Sequence, residues 1–433
     1  MAKLIELVLR DQEAFLDELS RRKAEDLDKA TATVARIIRR VRFEGDRALV
    51  ELGRLYDGVD LYPGSFLVAR EEIERAAGRL DRALCDALSE AYSRICDYHR
   101  AQLPDSWSVR GPDGEIMGQR IGAVESAAVY APGGKAAYPS SVLMGVAAAR
   151  TAGVQRVVLL SPPSRDGGLN PAVLFAARLG GVAEIYRLGG AQAVAAAAYG
   201  TATVPRVDVI VGPGNIYVTT AKKLVYGTVN VDMLAGPSEI LVIADRSADP
   251  AWVAADMLSQ AEHDQRAGCL LLTNNLPLAE KVQKEIKKQL DTLPRAKIAR
   301  KAVRKFGAII FVPTLEKAAE LANRIAPEHL ELLVADPWDL LGRIRHAGAV
   351  FLGPFTPEAV GDYWAGPNHV LPTGGSARAF SPLSVEVFLK RSNLISFNRQ
   401  AFDRAVGPVT LMARSEGFEG HARSMEIRRE TRK

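Results

Sequence analysis

The first hundred residues carry apolar side chains at steps of three and four, which is the period of an amphipathic helix. Over residues 30–55, for example, Val34, Ile37, Ile38 and Val41 fall on one helical face. A shorter stretch at residues 14–22 has the same spacing. The sequence therefore predicts a helical N-terminal region that ends near residue 105.

From residue 122 the pattern changes to short apolar runs that alternate with helical stretches. Strands are predicted at residues 123–130, 156–160, 184–188 and 207–211, with helices at 141–152, 171–179 and 191–199 between them. Asn170 followed by Pro171 is typical of a helix start, because asparagine caps and proline suits the first turn. This alternation predicts parallel strands covered by helices.

The same alternation of short apolar runs and helical stretches then repeats. Strands are predicted at residues 239–244, 269–273, 308–312, 330–335 and 349–352, and helices at 250–263, 278–290, 315–326 and 338–346. The fold class is therefore α/β, with two open parallel sheets of the Rossmann kind. In such sheets ligands bind beyond the carboxyl ends of the strands. Residues 376–433 are predicted to form short helices without enough apolar mass for a core, as in an arm that packs on a partner subunit.

Composition narrows the class of protein. Of 433 residues, 48% are hydrophobic and 25% are charged, and the net charge is 56 − 51 = +5. Basic residues do not form a stripe interleaved with aromatics, which argues against nucleic-acid binding. There is no run of 18 apolar residues for a membrane span and no apolar signal segment at the N-terminus. Cys85, Cys96 and Cys269 show no CxxC spacing, so reduced thiols and a cytoplasmic location are expected.

Four polar residues are candidate metal ligands. Gln260 and His263 lie one turn apart near the end of a predicted helix, Asp362 lies in a glycine-flanked loop, and His421 follows Gly420 near the C-terminus. Taken singly, each has an ordinary structural explanation: an interior histidine with its amide partner, an Asx turn and a surface histidine. Taken together, they supply the nitrogen and oxygen donors that suit zinc. His369 is equally ambiguous, and spacing alone leaves open whether these residues converge.

A candidate acid–base pair, Glu328 and His329, directly follows Pro327 at a predicted helix-to-strand turn. A histidine titrates near neutral pH and can take a proton from an alcohol. The adjacent carboxylate could orient the ring or activate water. A charged turn with a capping histidine is an equally good explanation of the pattern.

The signal for a nucleotide is weaker. Gly212-Pro-Gly-Asn215 follows a predicted strand and precedes a helical segment, a setting in which backbone N–H groups can hold a pyrophosphate. The GxGxxG fingerprint of dinucleotide-binding folds is absent. The pattern alone therefore does not single out a dinucleotide.

Ten short motifs occur in order along nearly the whole chain. They are YAPGGK (130–135), YPSSVLM (138–144), GGAQA (189–193), GPGNIYV (212–218), DMLAGPSEIL (232–241), QAEHD (260–264), PEHL (327–330), GDY (361–363), GPNHVLPTGG (366–375) and EGFEGHA (416–422). Their joint occurrence closely resembles the histidinol dehydrogenase family. Each motif is short, but the set and its order are highly specific.

The resemblance implies that L-histidinol is oxidised to L-histidine, the end of histidine biosynthesis, with two NAD⁺ consumed and one Zn²⁺ held per subunit of a homodimer. It implies a discontinuous α/β domain of residues 25–132 and 238–380, an NAD domain of 133–237, an N-terminal arm of 1–24 and a C-terminal arm of 381–433 that crosses to the partner. The resemblance also implies a role for each site residue. Zinc would be bound by Gln260, His263, Asp362 and His421, and catalysis would be carried out by Glu328 and His329. The substrate would contact Ser238, Glu416, Gln260, His263, His329, Asp362 and His421, and NAD would contact Tyr130, Gln192 and Asn215.

Three alternatives remain at this point. One is a related dehydrogenase that acts on another polyol, such as a sulfonated diol. Another is a zinc hydrolase without redox function. The third keeps the reaction but passes through a cysteine thiohemiacetal, which the position of the three cysteines outside every motif disfavours.

Overall fold

The computed structural model describes residues 29–133 and 137–430. The predicted N-terminal arm, residues 1–24, and the helix predicted at 14–22 lie outside these residues. Over the described range the N-terminal region is helical, as predicted, and Val34, Ile37, Ile38 and Val41 are buried. Its elements are α1 (residues 29–44), α2 (Asp46–Leu52), α3 (Pro63–Phe66), α4 (Arg70–Arg75) and α5 (Arg82–Arg100), followed by strands β1 (Trp107–Arg110) and β2 (Ile116–Ala123).

The first parallel sheet has the strand order β5-β4-β3-β6-β7. Helices α8 and α9 share a core with α1 and α2 on one face, and α6 packs on β3 and β4. The strand order reverses at β3, because the chain passes from β3 to β4 and β5 on one side and returns to β6 on the other, and ligands of open α/β sheets bind beyond the carboxyl ends at such a point. The elements are β3 (Ser126–Tyr130), α6 (Pro139–Thr151), β4 (Arg156–Ser161), α7 (Pro171–Leu179), β5 (Glu184–Arg187), α8 (Gly190–Tyr199), β6 (Val209–Val211), α9 (Ile216–Val225) and β7 (Asn230–Val231).

The second parallel sheet repeats this topology, with the order β10-β9-β8-β11-β12. One face packs on α10, α11 and α12, and the other packs on α13. The elements are β8 (Glu239–Ala244), α10 (Pro250–Ala261), β9 (Gly268–Thr273), α11 (Leu276–Leu290), α12 (Ala296–Phe306), β10 (Gly307–Phe311), α13 (Leu315–Ile325), β11 (His329–Leu333), α14 (Pro337–Leu341), β12 (Ala349–Leu352) and α15 (Glu358–Tyr363). The predicted α/β class with two parallel sheets is confirmed.

Residues 103–123 and 389–430 form a second compact unit, separate from the one that contains both parallel sheets. It holds β13 (Leu389–Ser396), α16 (Arg399–Ser415) and α17 (Glu419–Glu430), and β1, β2 and β13 make an antiparallel sheet. The strand β13 contradicts the prediction that this region is only helical. Its side chains are exposed on both faces, so the strand carries no alternation of apolar and polar residues for sequence analysis to detect. In α16 and α17 the buried side chains among the described residues are Ala401, Val406, Thr410 and Ala422.

No helix in the described ranges combines the length and apolarity needed to cross a bilayer. Helix α14 is shorter than predicted, since it ends at Leu341 and is followed by Gly342. Helix α12 exposes its basic side chains and buries Ala299, Ala302, Val303 and Phe306.

The turn after β6 is fastened by a buried ion pair between Lys222 and Asp232. Asp232 Oδ2 accepts from Gly212 N at 2.8 Å, and Lys222 Nζ donates to Gly212 O at 2.9 Å. Gly212 has φ +117°, and a Cβ there would lie 2.1 Å from Tyr130 O. Only glycine therefore fits this turn, and the ion pair holds both of its backbone polar groups.

Replacing Lys222 by methionine is expected to lower the free energy of unfolding by about 3–5 kcal/mol, because it leaves a buried carboxylate unpaired. Chemical denaturation would measure this loss. The double variant Lys222→Met/Asp232→Asn removes both charges and should be more stable than the single variant. A single variant as stable as wild type would show that the ion pair does not hold the turn.

Candidate active site

The predicted acid–base residues lie at the amino edge of the second sheet. Glu328 directly precedes β11, His329 is its first residue, and Ser238 directly precedes the neighbouring strand β8. Helix α10 follows β8 and runs back across the sheet, so Gln260 near its end returns to this edge. These residues therefore do not lie at the carboxyl ends of the strands, where ligands were expected to bind, and Glu328 and His329 are buried, with exposures of 7% and 4%.

His329 is oriented by a backbone carbonyl. Its Nδ1 lies 3.1 Å from Glu239 O and 2.9 Å from Gln260 Nε2, whereas its Nε2 is buried without a hydrogen-bond partner. Glu239 O can only accept and Gln260 Nε2 can only donate, so the two contacts of Nδ1 select opposite tautomers; in the tautomer with the proton on Nδ1, Nε2 presents its lone pair. Burial lowers the pKa of His329 to about 4. The ring is therefore neutral near pH 7 and ready to accept a proton at Nε2.

Glu328 is held by β8 and does not orient the histidine. Its Oε2 accepts from Glu239 N at 2.9 Å, while the distance from this oxygen to His329 Nδ1 is 3.9 Å. Burial, together with the surrounding carboxylates, raises the pKa of Glu328 well above its usual range. Because this carboxyl group makes no hydrogen bond with the ring, the geometry favours the second of the two roles that the sequence left open, action on water.

A group of possible metal ligands adjoins His329. The ligand atoms of His263, Glu358 and Asp362 all lie within 4.8 Å of one another. Glu358 Oε1 is 3.8 Å and Asp362 Oδ1 is 3.9 Å from His329 Nε2. The structure thus brings together His263 and Asp362 of the predicted ligand set, adds Glu358, which sequence analysis missed, and places Gln260 against the adjoining His329 ring.

The oxygens of this group fit a cation. Gln260 Oε1 and Glu358 Oε1 are buried without a hydrogen-bond partner, although buried polar atoms are nearly always satisfied. The other oxygen of Glu358 accepts from Ser259 Oγ at 3.0 Å. Burial, with the Asp362 carboxylate adding to it, raises the pKa of Glu358 to about 8. A divalent ion would satisfy these oxygens, and the mixed nitrogen and oxygen donors suit zinc.

His369 fastens the end of α15. Its Nδ1 lies 3.0 Å from the carbonyl oxygen of Asp362, and its Nε2 lies 3.3 Å from Ser141 Oγ. Both ring nitrogens are therefore engaged by protein groups. This arrangement supports a positioning role for His369 rather than metal ligation.

The remaining predicted site residues of the C-terminal region lie in the second unit. Glu416 directly follows α16, and His421 is in the first turn of α17, where its ring packs against Phe418 at 5.3 Å between centroids. Glu416, Phe418 and His421 are exposed. They are therefore accessible on the surface of that unit.

The three predicted NAD contacts lie at the carboxyl edge of the first sheet. Tyr130 ends β3 and its hydroxyl accepts from Gly190 N at 3.1 Å; Gln192 Nε2, on α8, donates to Asp57 Oδ2 at 3.2 Å. Asn215 caps α9 by accepting from the first-turn amides of that helix. All three side chains are thus engaged by protein groups at this edge, and Tyr130 and Gln192 are buried.

The cysteines lie elsewhere. Cys96 and Cys269 are buried and Cys85 is half-buried, and none of the three belongs to the group around His329. The structure therefore gives no support to a thiohemiacetal route.

Comparisons with known proteins agree with one another. The family model "Histidinol dehydrogenase" matches residues 20–429. The histidinol dehydrogenase of a Synechococcus strain is 51% identical over 424 residues, which cover 98% of each chain. That of Moorella thermoacetica is 54% identical over 399 residues, which cover 92% of this chain and 94% of the relative.

A solved structure is also similar. The crystal structure of histidinol dehydrogenase from Elizabethkingia anophelis superposes with a TM-score of 0.87 at 35% sequence identity, and the match covers 92% of this chain and 91% of that one. Sequence and fold therefore agree over almost the full length, and the chain belongs to the histidinol dehydrogenase family of oxidoreductases.

Proposed function

We propose that the protein oxidises L-histidinol to L-histidine in two successive steps, each of which reduces one NAD⁺, with a zinc ion in the site. The observation that carries the proposal is the neutral, buried His329, whose unpartnered Nε2 lies beside a group of unpartnered metal-type donors. The family membership supports the substrate, since the similar proteins are named histidinol dehydrogenases.

Gln260, His263 and Asp362 would hold the zinc ion, together with His421 from a second subunit. When bound, zinc supplies a Lewis-acidic anchor for the imidazole and amine nitrogens of the substrate. Ser238 and Glu416 would contact the substrate beside it. Holding the alcohol carbon in a fixed position can itself contribute several kcal/mol to lowering the barrier.

In the first step the alcohol proton passes to His329 Nε2 as the carbon–hydrogen bond breaks and its electron pair leaves with hydrogen to NAD⁺. Tyr130, Gln192 and Asn215 would contact that NAD⁺. The products of this step are the aldehyde, NADH and one proton on His329. The carbonyl of Glu239, which holds Nδ1–H, stabilises the protonated ring as it forms.

In the second step Glu328 takes a proton from water, the water oxygen adds to the aldehyde carbon, and the proton held on His329 passes to the aldehyde oxygen, which gives the hydrate. His329, deprotonated again, accepts a hydroxyl proton of the resulting hydrate while the second hydride leaves to a second NAD⁺. The carboxylate of histidine is the product. The burial of Glu328 and His329 keeps bulk water from the bound aldehyde.

The protein is also proposed to act as a homodimer whose second unit serves the neighbouring subunit. In α16, α17 and the loop between them Leu411, Met412, Phe418 and Ile427 are all exposed, and such apolar side chains on a unit with few buried residues are typical of an interface. The partner's copy of this unit would bring its Glu416 and His421 to the site.

Glu328→Gln is expected to slow the aldehyde step more than the alcohol step, because only the former needs an activated water. The amide can still accept from Glu239 N, so the fold around β8 is preserved. The rates with histidinol and with histidinal, measured separately, test this. Equal slowing with both substrates would contradict the assigned role.

The proposed function is tested by the amount of NADH formed for each histidinol consumed, with and without a zinc chelator. Two equivalents, lost on chelation and regained when zinc is added back, are expected. A zinc hydrolase would form no NADH. A dehydrogenase for another polyol would leave histidinol unchanged and be active with another member of a panel of diols.

A further inference from the structure

Glu331 is a buried carboxyl in the middle of a central strand. It is the third residue of β11, two residues after His329, so both side chains project from the same face of the sheet. Its exposure is 0%, although its neighbours Leu330 and Leu332 pack into an apolar core on the opposite face. A carboxyl at such a position is costly unless its oxygens are engaged.

One oxygen of Glu331 binds the helix that carries two of the metal-type ligands. Its Oε1 accepts from the backbone N of Glu358 at 2.8 Å. Glu358 is the first residue of α15, and the preceding Pro357 provides no side-chain cap. The strand therefore supplies, through Glu331, the acceptor that this short helix lacks.

Helix α10 packs against the same carboxyl group. Asp256 on that helix lies beside the Glu331 side chain, whose Oε2 accepts from no donor of the described residues. Three residues further along α10, Ser259 donates to Glu358 Oε2. Thus α15 is fastened to α10 and β11 at its first residue, through both the backbone and the side chain of Glu358.

We propose that Glu331 is a positioning residue for the metal site: it fixes α15 so that Glu358 and Asp362, one turn apart, present their carboxylates toward His263 and His329. The proposal rests on the metal site of the proposed function. It assigns to Glu331 no contact with metal or substrate. Residues that orient metal ligands in this way typically contribute about 10–100-fold to metal affinity or activity.

The experiment compares the zinc affinity of the full-length, metal-free variants by competition with a chromophoric chelator. Glu331→Met fills similar space but removes the acceptor for Glu358 N, and it should weaken zinc binding by about 10–100-fold. Glu331→Gln keeps an acceptor oxygen and a donor for Asp256, and it should bind zinc within about threefold of wild type. Because Asp256 is only half-buried, Asp256→Ala serves where Glu331→Met does not fold, and we expect it to bind zinc at least about threefold more weakly than wild type.

A matched control separates positioning from general destabilisation. Asn323 is buried and holds the loop after α14 by hydrogen bonds with Arg343 O and Arg345 N. Asn323→Leu should therefore lose stability yet keep its zinc affinity and the KM for NAD⁺. Equal zinc affinity in Glu331→Met and wild type, or equal weakening in Glu331→Gln, Glu331→Met and Asn323→Leu, would overturn the positioning role. Absence of zinc binding by wild type itself would instead overturn the proposed metal site, and the positioning role with it.

Discussion

Replacing His329 by alanine is expected to remove both oxidation steps, with kcat lowered by about 10²–10⁴-fold for histidinol and for histidinal alike, the range typical of a lost general base. The reason is geometric. The Nε2 atom of His329 is the buried nitrogen that has a free lone pair, and burial lowers the pKa of the ring to about 4, so it is unprotonated when the alcohol arrives.

The same variant should still bind zinc and histidinol, because His329 is assigned no ligand role. Metal content after dialysis and calorimetric titration with histidinol would measure both. His99→Gln is a suitable control. His99 is fully buried, and its ring contacts Gln102 and Asn368, neither of which is a proposed metal ligand or a partner of the His329 ring. Loss of zinc from His329→Ala, with zinc retained in His99→Gln, would contradict the assignment.

Sequence periodicity predicted the parallel sheets because their strands are buried on both faces. Strand β8 is apolar at nearly every position, and its predicted bounds match those observed. Strand β13 could not be found in this way, because its stability comes from pairing with β2 rather than from burial of alternate side chains. The periodicity of apolar residues therefore detects strands that bury side chains, and it does not detect a strand that is held by backbone pairing alone.

Part of the candidate site could be predicted from the sequence, but for a different reason. Gln260 lies at the end of α10 and His263 follows three residues later in the turn after it, where its N donates to Gln260 O at 3.2 Å, so their proximity follows from spacing, and the family resemblance supplied the others. Glu331 and Glu358 were missed because neither lies in a recognised motif. A signal for Glu331 was nevertheless present: a carboxylate between Leu330 and Leu332, inside a predicted core strand, is a polar residue that the fold must accommodate.

The location of the candidate site depends on which edge of each sheet carries its residues. The open-sheet rule directed attention to the carboxyl ends of the strands, and the residues of the first sheet, Tyr130 and Asn215, do lie there. In the second sheet the reactive side chains lie at the opposite edge, where α10 returns and the chain enters β11. The sequence already carried this distinction, since Glu328 and His329 come before the predicted strand 330–335 and residues that precede a parallel strand lie at its amino edge.

A mixture of two inactive variants, His329→Ala and His421→Ala, is expected to regain about 25% of wild-type activity after subunit exchange. The value follows from two-fold symmetry: half of the dimers in an equal mixture are mixed, and each mixed dimer has one of its two sites intact. That site combines His329 of one chain with His421 of the other.

Activity is regained only if His421 binds the zinc ion of the neighbouring subunit. If His421 completed the site of its own chain, each chain of a mixed dimer would keep its own defect and activity would stay at the level of the single variants. The exchange itself is verified by native mass spectrometry of differently tagged chains.

The control mixes wild type with the double variant His329→Ala/His421→Ala. If His421 acts in trans, both sites of a mixed dimer are defective. If His421 acts in its own chain, the wild-type chain of a mixed dimer keeps one working site. Compared with the same total amount of wild-type protein, the activity of the equal mixture should be about 25% if His421 acts in trans and about 50% if it acts in its own chain.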